Sequence, residues 1–445
     1  MEKTLTRAEQ AVAWVFLGVL MSFWGSIICI YLMGKLGGFS VPVEEKEDAV
    51  KGRQIEWQKL YPFTEEQLSR HSNRETEFVK TTDKLRSLPG RIYAYLKKWV
   101  EAYAGEHFFA RLFWVKAAKL YEKFLGWNMA SMSEYNGVVT LSDGYLVEFD
   151  KKRDVSESVN SVVELAGFCK QREIDFLYVN APSKICRFED ANVSGILDFS
   201  NQNADEFLQQ LMKADVRCYD LREVLHAEGM SHHGAFYRTD HHWRSEIGFW
   251  AARHISQFLS YEYAYSIDLS LLNVDKFTVV IYPSSFLGSH GRKVTLALTE
   301  PDDCVLFYPK YPTLLHYQIP DNDINIQGDF SITYNMSQVE EIDYYNKSPY
   351  GAYNYGDRPL IILENQSLSN DMKLLMIHDS FANCVIPFLA LGIKNVDALD
   401  LRHFYGSVRN YIDSTRPDIV VVLYNENAIG QTIDWQSHTS TFDFR

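Results

Sequence analysis

Three residues in two distant motifs offer the groups that acyl transfer through a serine requires: Asp240, His242 and Ser380. Asp240 and His242 are two residues apart in a segment that the sequence predicts to be extended, so their side chains can face one cleft. A carboxylate placed in this way can orient the imidazole, and the imidazole can take the proton of a serine hydroxyl. The chemistry that these residue types suggest is therefore acyl transfer.

Each motif also has a structural interpretation. A helix is predicted to begin at Ser245, so His242 can be a structural histidine beside a helix N-terminus. Asp379 and Ser380 lie between a predicted strand and a predicted helix, where both residue types are good N-caps. The same kind of turn is where α/β folds place their sites, because the N–H groups of the following helix can stabilise an oxyanion. From the residues alone, both interpretations stay open.

Short apolar segments that alternate with helical patterns are predicted to position these motifs. Such alternation favours parallel strands joined by crossover helices, which is an α/β fold with a parallel sheet. We assign this domain to residues 131–445. The predicted helices include 155–171, 204–214 and 383–391, and the predicted strands include 175–179, 216–219, 374–377, 396–399 and 419–423.

Residues 261–370 do not follow this alternation. The segment is rich in Tyr, Pro, Asp and Asn, contains short β-like pieces, and is too long for a loop inside a compact domain. We predict that it forms a β-rich insertion on the α/β core. Residues 34–130, which precede the domain, combine a Gly- and Pro-containing linker with helical periodicity. That pattern predicts a helical region that packs on the main domain.

Residues 11–33 carry no charged side chain and are long enough to span a bilayer, which takes about 20 residues. The stretch is longer than the apolar region of most cleavable signal peptides, which indicates a transmembrane signal anchor. Lys3 and Arg7 in the short tail, residues 1–10, favour a cytoplasmic N-terminus, although Lys35 weakens this bias. We therefore expect a single-pass protein of the cell membrane whose main domain is extracytoplasmic.

Composition argues against several function classes. The net charge of −14 argues against a nucleic-acid-binding protein, which normally presents a basic surface. The six cysteines follow no metal-site spacing. The sequence contains neither a P-loop nor the glycine pattern of a dinucleotide-binding fold. We therefore expect no metal and no nucleotide cofactor.

Several motifs resemble those of a known group of enzymes. Asp240-His241-His242-Trp243 reproduces the motif that names the DHHW family, and Asp379-Ser380-Phe381 resembles the serine block of the SGNH (GDSL-like) hydrolases, with His378 where their Gly usually stands. The DHHW family is similar to the SGNH-like acetyltransferases of bacterial alginate and cellulose O-acetylation. An Asp/His pair that precedes the serine resembles the permuted, alginate-acetyltransferase-like branch. Further blocks that resemble the family are Asn180-Ala181-Pro182-Ser183-Lys184, Phe286-Leu287-Gly288-Ser289, Tyr355-Gly356-Asp357 and Asp400-Leu401-Arg402.

This resemblance covers the chain from about residue 138 to the C-terminus and implies an SGNH-like three-layer sandwich. It also implies that Ser380 is the nucleophile, His242 the base and Asp240 the residue that orients the base. Arg402 and Asn425 are candidates for stabilising the oxyanion or binding substrate, and an ion-paired surface arginine is the alternative for Arg402. The family further implies a polysaccharide acceptor and a multipass membrane-bound O-acyltransferase as the route of the acetyl donor.

Aromatic residues suggest where a polysaccharide would bind, because aromatic faces stack on sugar rings. The candidates are Trp243, Tyr350, Tyr353 and Tyr355. The alternative is that these rings pack inside the protein.

The function expected from the sequence is a membrane-anchored, extracytoplasmic O-acetyltransferase that acts on an exopolysaccharide through a serine acyl-enzyme. A carbohydrate acetylesterase would use the same three residues with water as the acceptor. A third interpretation is a non-catalytic scaffold or glycan-binding protein of a polysaccharide export complex.

Overall fold

The structure is a computed structural model that describes residues 138–141, 144–188, 198–296, 298–433 and 440–445. The predicted tail, transmembrane segment and helical region, residues 1–130, lie outside the described residues. Within the described residues, no helix combines the length and the apolar character that crossing a membrane would need.

The described strands and helices alternate along much of the chain. The strands are β1 (Val138–Thr140), β2 (Leu146–Glu148), β3 (Asp175–Ala181), β4 (Cys218–Asp220), β5 (Phe277–Phe286), β6 (Asp302–Pro309), β7 (Leu315–Ile319), β8 (Ile324–Gly328), β9 (Leu360–Asn365), β10 (Lys373–His378), β11 (Asn395–Asp400) and β12 (Ile419–Asn425). The α-helices are α1 (Ser156–Lys170), α2 (Ser200–Lys213), α3 (Leu221–Ala227), α4 (Ser245–Glu262), α5 (Ser289–Val294), α6 (Ile386–Leu389) and α7 (Val408–Thr415).

The largest sheet is mixed, with the strand order β4-β3-β12-β10-β11-β9-β7-β8. The first five strands of this order pair in parallel, as the α/β prediction requires. The predicted parallel sheet is confirmed for these five strands only, because β9 is antiparallel to both β11 and β7, and β8 is antiparallel to β7. The short turn Pro320–Asn322 joins β7 to β8, and a connection of that length permits only an antiparallel pair.

The antiparallel strands of this sheet come from the segment 261–370. It supplies β7, β8 and β9 to the edge of the large sheet and also forms a separate antiparallel pair, β5 and β6. The segment therefore continues the central sheet while adding a second small one.

The apolar strand sequences are explained by burial on both faces. Every residue of β12 is buried, and successive side chains of a strand point to opposite faces, so protein covers both sides of the sheet there. Helix α1 packs against α2 and β3, and α4 packs against α6. Ser380 therefore follows a strand that lies inside a covered sheet, which fixes the position of its backbone.

The carboxyl ends of the parallel strands bring several polar residues to one edge of the sheet. His378 ends β10, Asp400 ends β11 and Asn425 ends β12. Because β9 is antiparallel to β11 and Leu360 pairs with Leu399, β9 begins at this same edge. Asp357, three residues before β9, is brought there as well.

Candidate active site

The side chains of Ser380, His242 and Asp240 form one continuous chain of hydrogen bonds. His242 Nε2 lies 2.7 Å from Ser380 Oγ, and His242 Nδ1 lies 2.5 Å from Asp240 Oδ1. Their exposed fractions are 8%, 8% and 3%. With the proton of the neutral imidazole on Nδ1, that group donates to the carboxylate, and Nε2 accepts the serine hydroxyl proton. The structure thus brings together the three residues singled out by the two motifs.

Asp240 is held by backbone N–H groups as well as by the imidazole. Its Oδ1 accepts the backbone N–H of His242 at 3.0 Å, which closes a local turn, and its Oδ2 accepts the N–H of Ser289 at 2.6 Å. Gly288 allows this approach, because a Cβ at that position would overlap Asp240 Cβ and lie 2.5 Å from Oδ2. The block Phe286–Ser289 therefore has a role that the sequence motif did not reveal: it holds the triad carboxylate.

Asp240 stays ionised despite its burial. Burial opposes ionisation, but the imidazoles of His241 and His242 outweigh it and hold the pKa of Asp240 well below its usual value. The hydrogen bonds from His242 and from Ser289 N–H act in the same direction. An ionised carboxylate favours the positive charge that His242 gains when it accepts a proton.

Tyr350 contacts both the His242 imidazole and the segment that carries Ser380. Its ring stacks on the His242 imidazole with centroids 4.1 Å apart and an interplanar angle of 17°. Its hydroxyl lies 3.0 Å from the backbone oxygen of Ser380 and 3.2 Å from that of Phe381. Tyr350 is 4% exposed. It comes from the segment 261–370, so this segment contributes directly to the site.

Three of the four candidate sugar-stacking rings are buried, so the structure contradicts that prediction for them. Trp243 donates its indole N–H to Phe381 O, and the Tyr353 hydroxyl donates to Val305 O. Both rings, like Tyr350, face the protein interior. Tyr355 is half-buried and stacks on Tyr317. The prediction fails for the three buried rings because the type of an aromatic side chain does not say whether it faces solvent.

Asp379 provides the helix cap at the strand-to-helix turn. Its Oδ1 accepts the N–H of Phe381 at 2.9 Å at the start of the short 3₁₀ helix Ser380–Cys384, and its Oδ2 accepts the N–H of Asn425 at 2.7 Å. Burial raises the pKa of Asp379, although Arg402 and these N–H groups partly offset the effect. Asp379 therefore caps this helix, whereas the Ser380 hydroxyl contacts His242.

Asn425 and Arg402 have partners other than the triad. Asn425 Nδ2 lies 2.8 Å from Pro182 O and 3.3 Å from Ala181 O, so both amide hydrogens are directed at backbone. This contradicts the prediction that Asn425 donates to an oxyanion. Arg402 forms a two-point contact with Asp400, at 2.9 and 2.5 Å, and lies 3.2 Å from Asp357. The ion-paired alternative for Arg402 is therefore the one that the structure shows.

The sequence analysis singled out Arg402 but did not group it with the polar side chains that the fold brings near it on the short helix of Ser380 and before β9. Asn383 Nδ2 donates to Asp357 Oδ1 at 2.8 Å. Asn383 Oδ1 and His378 Nε2 are buried and have no hydrogen-bond partner among the described residues. Burial opposes ionisation of Asp357, but Arg402 and Asn383 outweigh it and lower its pKa, and His242 and His378 add to the lowering. We call this group, Asp357, Asn383, His378 and Arg402, the polar recess.

A local signal in the sequence marks the turn that leads to Asp357. Asn354, Tyr355 and Gly356 all have left-handed backbone angles, with φ of 52°, 59° and 78°. Asn and Gly are the residues that tolerate this region best, whereas a tyrosine is strained there. The sequence Asn-Tyr-Gly-Asp could therefore have indicated a tight turn, but not its position beside Ser380.

Two groups of acidic and histidine side chains lie close enough together to be considered as metal sites. The first is Asp240, His241 and His242, and the second is Asp357, Asp400 and His403. Asp240 and His242 are hydrogen-bonded to each other and to Ser380. In the second group a cation is already present, because the Arg402 guanidinium contacts both carboxylates. The acidic side chains of both groups therefore already have partners within the described part of the protein.

Comparison with known proteins supports the resemblance drawn from the motifs. Residues 141–268 match the family described as SGNH hydrolase-like domain, acetyltransferase AlgX. PatB1 of Bacillus cereus with a sulfonyl adduct has a similar structure, with a TM-score of 0.57 and 21% identity over 69% of this chain and 98% of that one. A DHHW family protein from Eubacterium siraeum has a TM-score of 0.52 and 15% identity over 69% of this chain and 95% of that one. No curated protein sequence matches the chain.

The family match confirms the resemblance to SGNH-like acetyltransferases. The structural similarity to PatB1 and to the DHHW family protein shows the SGNH-like α/β fold. The segment that matches the family contains Asp240 and His242 but ends well before Ser380. The serine is joined to that segment by the fold, through the contact between His242 Nε2 and Ser380 Oγ.

Proposed function

We propose that this protein is an O-acetyltransferase that carries an acetyl group on Ser380 and passes it to a hydroxyl group of a polysaccharide. The observation that carries the proposal is the 2.7 Å contact between Ser380 Oγ and His242 Nε2, continued by the contact between His242 Nδ1 and Asp240. The match of residues 141–268 to an acetyltransferase family supports acetyl as the acyl group.

The reaction proceeds in two steps that use the same imidazole. In the first, the Ser380 hydroxyl gives its proton to His242 Nε2, Oγ bonds to the acetyl carbon of the donor, and the leaving group departs with that proton. In the second, the acceptor hydroxyl gives its proton to His242 Nε2, and its oxygen bonds to the acetyl carbon. The bond from that carbon to Ser380 Oγ breaks, and Oγ takes the proton back.

The negative charge that develops on the acetyl oxygen needs hydrogen-bond donors. Ser380 occupies the first position of the short helix Ser380–Cys384, where a backbone N–H has no acceptor within its own helix. In this proposal the Ser380 N–H, on the same residue as the nucleophile, is one such donor. Asn425 takes no part, because its amide hydrogens face the Ala181 and Pro182 carbonyls.

The enclosure of Ser380 supports transfer over hydrolysis. Ser380 is 8% exposed, and the aromatic rings of Tyr350 and Phe381 lie against the imidazole that serves it, with centroids 4.1 and 5.0 Å from His242. A site enclosed in this way limits the water that competes with the acceptor for the acetyl-enzyme. The same enclosure favours a small acyl group.

The proposal includes a location outside the cytoplasm. The uncharged segment 11–33 anchors the protein in the cell membrane with its N-terminus in the cytoplasm. The acceptor is an exopolysaccharide, and a membrane-bound O-acyltransferase supplies the acetyl group from the other side of the membrane. The support for these points is the composition of that segment and the resemblance to polysaccharide acetyltransferases.

Acetylation of Ser380 tests the function directly. We expect the full-length protein, incubated with p-nitrophenyl acetate, to gain one acetyl group that peptide mapping places on Ser380. Ser380→Ala should abolish the gain, whereas Ser337→Ala, a change at an exposed serine, should not. Transfer to an added oligosaccharide would support the transferase, and release of acetate alone would support the esterase. Equal ester turnover by the wild type and Ser380→Ala would refute the role of Ser380.

A further inference from the structure

The polar recess and Ser380 share one short helix. Asn383 is three residues after Ser380 on the helix Ser380–Cys384 and is 1% exposed. Its amide nitrogen holds Asp357 at 2.8 Å, and the Asp357 side chain is 35% exposed. Within the polar recess, Asn383 is therefore buried beside the helix that carries Ser380, and Asp357 is open to solvent.

Two acceptor atoms in the recess are buried without a partner among the described residues, namely Asn383 Oδ1 and His378 Nε2. The Asn383 amide nitrogen is fixed by Asp357, which leaves its oxygen free to accept. His378 Nδ1 lies 2.8 Å from Asp379 O, so Nδ1 carries the proton that it donates, and Nε2 presents a lone pair. Buried acceptors are costly unless a donor reaches them.

The polar recess therefore favours ligands that donate hydrogen bonds and disfavours anionic ligands. Asp357, Asn383 Oδ1 and His378 Nε2 all accept hydrogen bonds. The Arg402 guanidinium is shared between Asp400 and Asp357, so one cation faces two carboxylates. Sugar hydroxyl groups can donate one hydrogen bond each to these acceptors, whereas a uronate carboxylate would meet an excess of negative charge.

We propose that the polar recess is the acceptor subsite and that it binds hydroxyl groups of an uncharged sugar next to Ser380. The inference rests on the proposed function, because it presupposes an acetyl group on Ser380. Asp357 accepts a hydrogen bond from one sugar hydroxyl at the rim, and Asn383 Oδ1 accepts one from a second hydroxyl deeper in the recess, where His378 Nε2 is the alternative acceptor. The neighbouring hydroxyl of the same sugar is thereby brought to the acetyl carbon.

The test separates loading of Ser380 from transfer to the acceptor. Loading is followed as acetylation of the full-length protein by p-nitrophenyl acetate, and transfer as acetylated cellotetraose. For Asp357→Asn we expect transfer to fall about tenfold more than loading, with a raised KM for cellotetraose, because a charged acceptor is replaced by a weaker one. Asp371→Asn, a change at an exposed carboxylate just before β10, should keep the wild-type ratio of transfer to loading.

The outcomes distinguish this inference from the proposed function. Absence of loading in the wild type would refute the proposed function itself. Normal loading in Asp357→Asn with an unchanged transfer ratio would overturn the acceptor subsite, as would an equal fall in loading and transfer. If circular dichroism shows that Asp357→Asn does not fold, Asp357→Glu takes its place, since it keeps the charge but moves the carboxylate by one methylene group.

A second comparison tests the charge of the acceptor. Cellotetraose is uncharged, and tetragalacturonate carries a carboxylate on every ring. We expect the wild type to acetylate cellotetraose at least about tenfold faster at equal concentration, because repulsion by Asp357 and Asp400 is only partly offset by Arg402. Equal rates, faster transfer to tetragalacturonate, or normal loading without transfer to either sugar would overturn the inference. Transfer that EDTA abolishes and Mg²⁺ restores would also overturn it, because the recess would then hold a metal ion.

Discussion

Asp240 is linked to Ser380 through His242, Asp357 is bonded to Asn383 on the short helix that begins at Ser380, and the surroundings of the two carboxylates differ. Both carboxylates have lowered pKa values, and His242 contributes to the lowering in each case. Asp240 is 3% exposed and accepts three N–H groups. Asp357 is about one third exposed, accepts from Asn383 and contacts Arg402. The first carboxylate is enclosed by the protein groups that donate to it, whereas the second is open to solvent.

The comparison shows what fixes the protonation state of a carboxylate at this sheet edge. Burial opposes ionisation at every such group, so the outcome depends on how many N–H donors and cations face it. Asp240 has enough of them to stay ionised in spite of its burial. At Asp379, burial prevails over Arg402 and two backbone N–H groups, and its pKa rises. A carboxylate that orients a base must stay ionised, as Asp240 does.

The largest expected effect comes from removing the negative charge of Asp240. Asp240→Asn replaces two accepting oxygens with one oxygen and one NH₂ group, which must face an N–H group or force the wrong tautomer on His242. We expect the rate of Ser380 acetylation to fall by a factor of about 10³ to 10⁴. The measurement is the rate of acetylation by p-nitrophenyl acetate as a function of pH. A fall no larger than that of Asp357→Asn would show that the two carboxylates are equivalent.

A smaller effect is expected from moving Asp240 without changing its chemistry. In Gly288→Ala the new methyl group would overlap Asp240 Cβ and lie 2.6 Å from Thr239 O, so the backbone at residue 288 or the Asp240 side chain must shift. We expect this shift to disturb the contact between Asp240 and the His242 imidazole. A displacement of about 1 Å lowers the acetylation rate about 10²-fold. The same assay, with the thermal unfolding midpoint beside it, measures the change.

The matched control for this substitution is Gly167→Ala within helix α1. A Cβ there meets no atom within 4 Å, so we expect unchanged acetylation and a gain in stability of about 0.5–1 kcal/mol. Wild-type acetylation by Gly288→Ala would show that the packing of Gly288 on Asp240 does not hold the carboxylate in place.

The parallel part of the fold and the triad could be predicted from the sequence because both leave local signals. Strands such as β10 and β12 are continuous apolar runs, and a sheet covered on both faces requires them. Asp240 and His242 lie within one short motif, and Ser380 is marked by its position between strand and helix.

The contributions of the segment 261–370 could not be predicted in the same way. The antiparallel pairing of β9 with β11 and the contact between Tyr350 and His242 join residues that are far apart in sequence. Such contacts depend on where a long segment packs, and no local pattern encodes that. For this reason the sequence identified Tyr350 as an aromatic residue but assigned it to a sugar, and it missed Asp357 as a neighbour of Ser380.

The smallest expected effect concerns stability, and it extends the comparison to a third carboxyl group at the same sheet edge. Glu426 directly follows β12, is fully buried, and accepts the N–H of Ser183 at 2.8 Å with Arg222 at 3.3 Å. Burial raises the pKa of Glu426 from 4.5 to about 7, although Arg222 offsets part of the effect. Asp240, with more N–H donors, shows the opposite shift.

The sign of the resulting pH dependence follows from this raised pKa. Between about pH 4.5 and 7 the folded protein holds a proton on Glu426 that the unfolded chain has released, so the Glu426 contribution to the free energy of unfolding falls as the pH rises. In Glu426→Gln this dependence is absent. We expect the wild type to lose up to roughly 3 kcal/mol relative to the variant across that window.

Urea unfolding of the two proteins at several pH values measures the difference, and Glu341→Gln, at a largely exposed carboxylate, serves as the control. Asp240 does not interfere in this window, because a lowered pKa gives a contribution that is lost only at lower pH. A difference that stays constant or grows in favour of the wild type as the pH rises would mean that Glu426 is ionised throughout. The ion pair with Arg222 would then outweigh burial, as the imidazoles and N–H groups do at Asp240.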